Sequence, residues 1–242
     1  MDVMPIRTLA AFLVLLNCTA GKIACQTPED TSGLPLSRGS FWLYQGTVRW
    51  TKPNTKEVRE KTFVWKMEVV RTLQREYVYG AVVRGFPGDL TWYEEGRAPS
   101  DCLILRVGSG NYYHLTGERM ESALKRFAQE GDLGEGLVMD DDLFLDLPLR
   151  TGKVFGEASQ LTRQDRSYCW VVEGEDSIEL KGVKGVSPSS SRTQYRLIFQ
   201  TRPDHTRIEF VPDIGITSYR YVHHGTVSEV DLKLSEYHQG NP

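Results

Sequence analysis

Cysteine is scarce in this chain, and so are blocks of like charge and long apolar runs. Four cysteines among 242 residues cannot form a disulfide-dense scaffold. No Lys/Arg block stands out and the formal net charge is -3, so the electrostatic footprint of a nucleic-acid binder is missing. No apolar run reaches the length of a membrane helix. No G-x-S-x-G elbow, H-E-x-x-H pair or phosphate loop occurs. Each of these absences removes a readable route to catalysis, and no cofactor is implied. A constellation dispersed over several strands would leave no such trace.

The first segment is built differently from the rest. In "MDVMPIRTLAAFLVLLNCTAGKIAC", Arg7 precedes an apolar run from Leu9 to Leu16, and small residues follow. This is the pattern of a secretory signal peptide over residues 1–24. Cleavage after Ala20 fits a small-x-small rule. Alternatively Ala24-Cys25 ends a lipoprotein signal, with Cys25 lipidated and membrane attachment through that anchor alone. Residues 25–37, rich in Pro, Gly and Ser, read as a flexible tether. Residues 38–242 then form a single β-rich domain. Export places it in the periplasm or at the cell envelope. In an oxidising compartment Cys102 and Cys169 either pair or stay as separate buried thiols.

Alternation with period two dominates the remainder. Trp42, Tyr44, Val48 and Trp50 share one strand face. Phe63, Trp65, Met67 and Val69 share another, and Tyr77, Tyr79, Ala81 and Val83 a third. "DCLILRV", "NYYHL", "SYCWVVE", "SIELKGV", "TQYRLIFQ" and "TRIEFV" continue the series. The fold class is therefore mainly β: a large curved antiparallel sheet, half-barrel or barrel-like meander, with one amphipathic helix packed on it. That helix is "ERMESALKRFAQEG", in which Met120, Leu124 and Phe127 recur at helical spacing. Thr116 can cap its start and Gly131 can end it.

Two hairpin registers can be read. A turn at Pro203-Asp204 sets Phe199 opposite Ile208 and Leu197 opposite Phe210. A turn at His224-Gly225 sets Tyr219 opposite Val230 and Arg220 opposite Glu229. In that register His223 continues the tyrosine face while His224 sits in the turn, so the adjacent pair points apart and chelates poorly. "MDDDLFLD", with Asp140, Asp141, Asp142 and Asp146, lacks the ligand spacing of a calcium loop and reads as a solvated acidic loop.

"LDLPLRTGKVF" and the closing "FVPDIGITSYRYVHHGTVSEVDLKLSEYH" resemble a pattern in uncharacterised secreted bacterial proteins. Pro148, Leu149, Gly152, Pro212, Gly215 and Ile216 carry the likeness, over the C-terminal third. Those proteins are similar to envelope proteins with the curved antiparallel sheet of the LolA/LolB-type lipoprotein carriers. The resemblance implies a sheet that binds or screens amphiphiles, and no catalytic residue carries over.

The reading is an exported non-enzymatic envelope protein that binds an apolar or amphiphilic ligand, or a protein partner, on a curved sheet. The ligand face would comprise Trp42, Tyr44, Trp65, Tyr77, Met120, Leu124, Phe127, Tyr219 and Tyr221. The alternative is an exported hydrolase or metal-dependent enzyme using His223, His224 or His114 with acids from other strands. A structural interaction module is the third.

Overall fold

A computed structural model describes residues 33–129, 136–188 and 190–241. The leader, Cys25 and the proposed helix stop at Gly131 lie outside the described residues. The body begins earlier than composition suggests. Leu34 and Leu36, assigned above to the tether, are each only 1% exposed and belong to the core.

Among the described residues, twelve strands form one antiparallel sheet. In chain order they are β1 (Phe41–Thr51), β2 (Val58–Arg75), β3 (Val78–Arg84), β4 (Asp101–Val107), β5 (Asn111–Leu115), β6 (Leu143–Asp146), β7 (Val154–Phe155), β8 (Trp170–Ile178), β9 (Arg192–Gln200), β10 (Asp204–Val211), β11 (Gly215–His223) and β12 (Ser228–His238). β1 lies at the centre, between β2 and β12, and each flank is a meander from there outward. Trp170 to Glu173 of "SYCWVVE" and the start of "SIELKGV" lie on one strand, β8; Ser167 to Cys169 and the rest of the second segment lie outside it.

The sheet curls until its outer strands, β6 and β7, come together. No backbone ladder joins them. The connection 147–153 does so instead. Leu147 N–H donates to Gly110 O at 2.9 Å, and Gly152 N–H donates to Val172 O at 2.8 Å. The Lys153 ammonium spans the seam, donating to Asp146 O at 2.5 Å and Pro148 O at 3.0 Å and pairing with Asp146 Oδ2 at 3.0 Å. This is a charge-assisted clamp in a half-buried setting, where such bonds are worth most. Lys153→Met keeps the aliphatic stem and removes the charge. We expect it to cost about 2 kcal/mol, with amides of β6 and β7 exchanging faster while those of β1 and β12 do not change. An unchanged urea midpoint and unchanged exchange would contradict the clamp.

The inward face carries the aromatic stripe. Trp42, Tyr44, Val48, Trp50, Trp65, Met67 and Val69 all point into one core, as their alternation requires. β11 and β12 add Tyr219, Tyr221, Val230 and Leu232. Buried polar tips find acceptors on the backbone: Trp42 Nε1 donates to Ile214 O at 2.5 Å, Tyr44 Oη to Ile216 O at 3.0 Å and Trp65 Nε1 to Gly85 O at 2.8 Å.

The helix α1 (Gly117–Ala128) sits on the opposite, outer face. This corrects the expectation that Met120, Leu124 and Phe127 share a face with the aromatic stripe. Met120, Leu124 and Phe127 pack with Val78, Val82, Leu103 and Leu105 in a second cluster. β3 and β4 are thus buried on both sides, so the apolar alternation of Leu103 and Leu105 marks the helix side and not the barrel interior. Thr116 holds the N-cap position but makes no side-chain capping bond.

The same geometry sets the two cysteines apart. Both thiols are free and buried. Cys102 shares the inward core with Ile104. Cys169 lies beside Val171 and Ile198 on the outside of β8, and its Sγ donates to Arg166 O at 3.1 Å. A bridge between them would have to pass through the wall of the sheet.

Both hairpin registers differ from the sequence reading by two residues. Leu197 faces Ile208, because the β9–β10 turn is centred on Arg202-Pro203, with Thr201 N–H donating to Asp204 O at 2.9 Å. Tyr219 faces Leu232 and Arg220 faces Asp231, because the β11–β12 loop is longer than His224-Gly225. A shift of two leaves every side chain on its expected face. Glu229, released from Arg220, pairs with Arg49 on β1 at 2.6 Å.

Candidate functional site

Between β3 and β4 the chain makes a compact loop, residues 85–100, whose ends meet where Gly85 N–H donates to Ser100 O at 2.9 Å. Phe86, Leu90 and Tyr93 enter the core, so the loop closes one mouth of the barrel. Nothing in the alternation pattern marks it, because its apolar residues have no strand or helix period. Its tip reaches β11 and β12. Trp92 N–H donates to Ser228 Oγ at 3.0 Å, and the Trp92 ring lies 4.4 Å from the ring of His223. Trp92 remains 48% exposed.

Under that tip is the most concentrated polar group of the closing segment. Asp204 Oδ1 accepts from Tyr221 Oη at 2.6 Å and lies 2.8 Å from His223 Nδ1. Thr201 Oγ1 donates to Asp204 Oδ2 at 3.3 Å. Partial burial pushes the Asp204 carboxyl up, but the bonds from Tyr221 and His223 outweigh it and hold the group below the usual carboxylate range. Burial, followed by the hydrogen bond to Asp204 and the Asp204 charge, pushes the Tyr221 phenol up. The sequence reading placed Asp204 only in a turn and so missed this contact between strands.

An aspartate orienting a histidine is half of a nucleophile-activating relay. Here the histidine is turned into its own hairpin: a Cβ on Gly225 would lie 3.4 Å from His223 Nε2. Ser228, the hydroxyl next along the hairpin, is buried and already accepts from Trp92. The arrangement clasps the loop 85–100 to the end of β10 and β11.

The other candidates are dispersed. His224 donates its backbone N–H to Pro203 O at 2.6 Å. His114 stacks inside the barrel on Phe86 at 4.3 Å. His205 is on β10, and His238 stacks on Phe41 at 5.1 Å. Asp142 accepts from Met139 N–H and pairs with Arg119, and Asp146 is held by Lys153. Among the described residues no group of three His, Cys, Asp or Glu side chains converges as a metal site.

The nine residues expected to form a ligand face fall in three places. Trp42, Tyr44, Trp65, Tyr219 and Tyr221 are packed in the interior. Met120, Leu124 and Phe127 are under the helix on the other side of the wall. Tyr77 stands in the β2–β3 turn, 67% exposed. They do not make one surface.

No known family pattern matches the chain, and no curated protein matches it. Among solved structures, a protein of Bacteroides fragilis NCTC 9343, described as a "putative exported protein with YmcC-like fold", superposes over 86% of this chain and 99% of its own, at 9% identity and a TM-score of 0.40. A likeness at that level carries no argument about this chain. The curved antiparallel sheet implied by the resemblance in the closing third is present. Kinship with the LolA/LolB-type carriers is not thereby shown.

Proposed function

We propose that this is an exported, non-enzymatic envelope protein that acts through its outer surface, as a rigid β-barrel body presented to a protein partner. The observation that carries the reading is the filled interior: Trp42, Tyr44, Tyr112 and Phe210 are completely or almost completely buried in one continuous core. One mouth is closed by the loop 85–100. At the other, Leu34, Leu36, Leu180 and Val186 are buried in the same core, and Lys184 O accepts from Tyr237 N–H at 2.9 Å. A carrier of acyl chains needs an apolar cavity instead.

Export is supported by the leader pattern around Arg7 and Leu9 to Leu16. Contact with a protein is supported by the edge of β2. Among the described residues, its stretch 58–67 pairs only with β1, because β3 joins β2 from Glu68 onward. Val58 and Val64 are exposed there, and Arg59, Glu60 and Lys61 oppose pairing between copies. Such an edge accepts an extended segment of a partner.

Protein purified from its native envelope fraction provides the test. Intact mass is expected to start after Ala20 or at Cys25, and retention of Met1 to Leu16 would refute export. Titration with the uncharged apolar dye N-phenyl-1-naphthylamine is expected to give no saturable fluorescence. Stoichiometric binding of the dye would overturn the filled interior and restore the ligand-carrier reading.

A further inference from the structure

On the outer wall, over β8 and β9, a cleft of about 370 Å³ is lined by Thr151, Arg166, Cys169, Val171, Ile198 and Gln200, among others. Its floor is apolar. Its rim is the turn 165–169, which is pinned at every residue. Ser167 N–H donates to Asp165 Oδ1 at 3.1 Å, Tyr168 N–H to Gln200 O at 2.7 Å and Cys169 Sγ to Arg166 O at 3.1 Å. Arg166 and Tyr168 both have left-handed backbones, at φ 52° and 65°. Two such residues so close together are strained unless the surroundings hold them, and strain of this kind gathers where a side chain must be presented.

The charges at the rim do not cancel. Asp165 is taken by the Arg163 guanidinium in a bidentate pair at 2.9 and 2.8 Å. Glu173 is taken by Arg207 at 3.2 Å. Among the described residues Arg166 has no ion pair, so both carboxylates of the cleft are neutralised from outside and one cation is left over. The Cys169 thiol is pushed up by burial, against the pull of Arg166. It is a packing group of the floor and no nucleophile. Thr151 and Gln200 add a hydroxyl and an amide beside the cation.

We propose that this cleft binds a small monocarboxylate with a short apolar tail, its carboxylate on Arg166 and its tail over Val171 and Ile198. A guanidinium matches a carboxylate in a two-bond fork, and the apolar floor then selects against a bare anion. The volume suits a ligand of modest size and excludes a long acyl chain from full burial. The site is on the outside of the wall and does not depend on the interior, so this proposal and the reading above fail separately.

Calorimetric titration of the mature full-length protein with hexanoate, hexylammonium and inorganic phosphate tests it. Hexanoate is expected to bind saturably at one site. Arg166→Asn, which tolerates the left-handed backbone, should weaken it at least about tenfold. Ile198→Asn should weaken it as well. Hexylammonium and phosphate should show no saturable binding. Absence of hexanoate binding, equal affinity in Arg166→Asn, or phosphate binding as strongly as hexanoate would each overturn the proposal.

Discussion

Gly46→Ala is expected to lower stability by about 4 kcal/mol or more, or to prevent folding. Gly46 occupies the inward position between Tyr44 and Val48 on β1, paired with Leu232 on one side and Phe63 on the other. A Cβ there would lie 1.9 Å from Asp231 O and 2.9 Å from Leu232 Cα. Both are backbone atoms of β12, so no side-chain rotation can relieve the overlap. The central strand pair would have to part, and with it the ladder that joins the two meanders. A Gly in a strand interior often marks such a close approach of another backbone. Urea unfolding followed by circular dichroism is the measurement, with a thermal shift on the order of 10 °C as its counterpart for a chain of this size. Thr47→Ala, one residue on and facing the other way, is the control and should change little. A Gly46→Ala protein as stable as that control would mean that β1 and β12 do not approach as described.

Much of this could be read from period two alone. The stripe Trp42, Tyr44, Val48, Trp50 and its neighbour Phe63, Trp65, Met67, Val69 are inward because alternation has no other solution on a sheet with one dry face. The hairpins at Pro203 and His224 are legible as to face, while their register lies two residues from the one the turn residues suggest. Parity is local, whereas pairing depends on turn geometry that several loop lengths satisfy. Alternation fails where both faces are buried. Val78, Gly80 and Val82 on β3 and Leu103 and Leu105 on β4 are apolar because α1 covers them, so parity there does not tell the barrel interior from the helix side. The loop 85–100 and the contact of Asp204 with His223 have no local signature. Each joins segments that only the closed sheet brings together. Gly46 was visible only as a gap in the stripe, and the reason for the gap is on another strand.

Stability is expected to fall by about 2.5 kcal/mol between pH 7 and pH 4.5, from one histidine. His114 is on β5 and faces inward, stacked on Phe86 at 4.3 Å and edge-on to Phe144 at 6.2 Å. Its Nε2 is sealed from solvent without a partner. Burial disfavours the imidazolium and brings the pKa down to about 4, from about 6.5 in an open chain. Above pH 6.5 neither state binds the proton, and the group contributes no pH dependence. Between 6.5 and 4 the unfolded chain binds it and the folded one does not, so acid favours unfolding throughout that window. Below 4 both states are protonated and the loss is complete. His114→Phe keeps a ring on Phe86 and removes the titrating group. The variant should match the parent at pH 7 or exceed it, and should be more stable by about 2 kcal/mol at pH 4.5. Some slope will remain, because burial also lowers the pKa of His205, on the outer face. Urea unfolding of both proteins at the two pH values decides the point. Parallel pH dependence in parent and variant would mean that His114 titrates as it does in the unfolded chain, and that the mouth closed by the loop 85–100 admits water to β5.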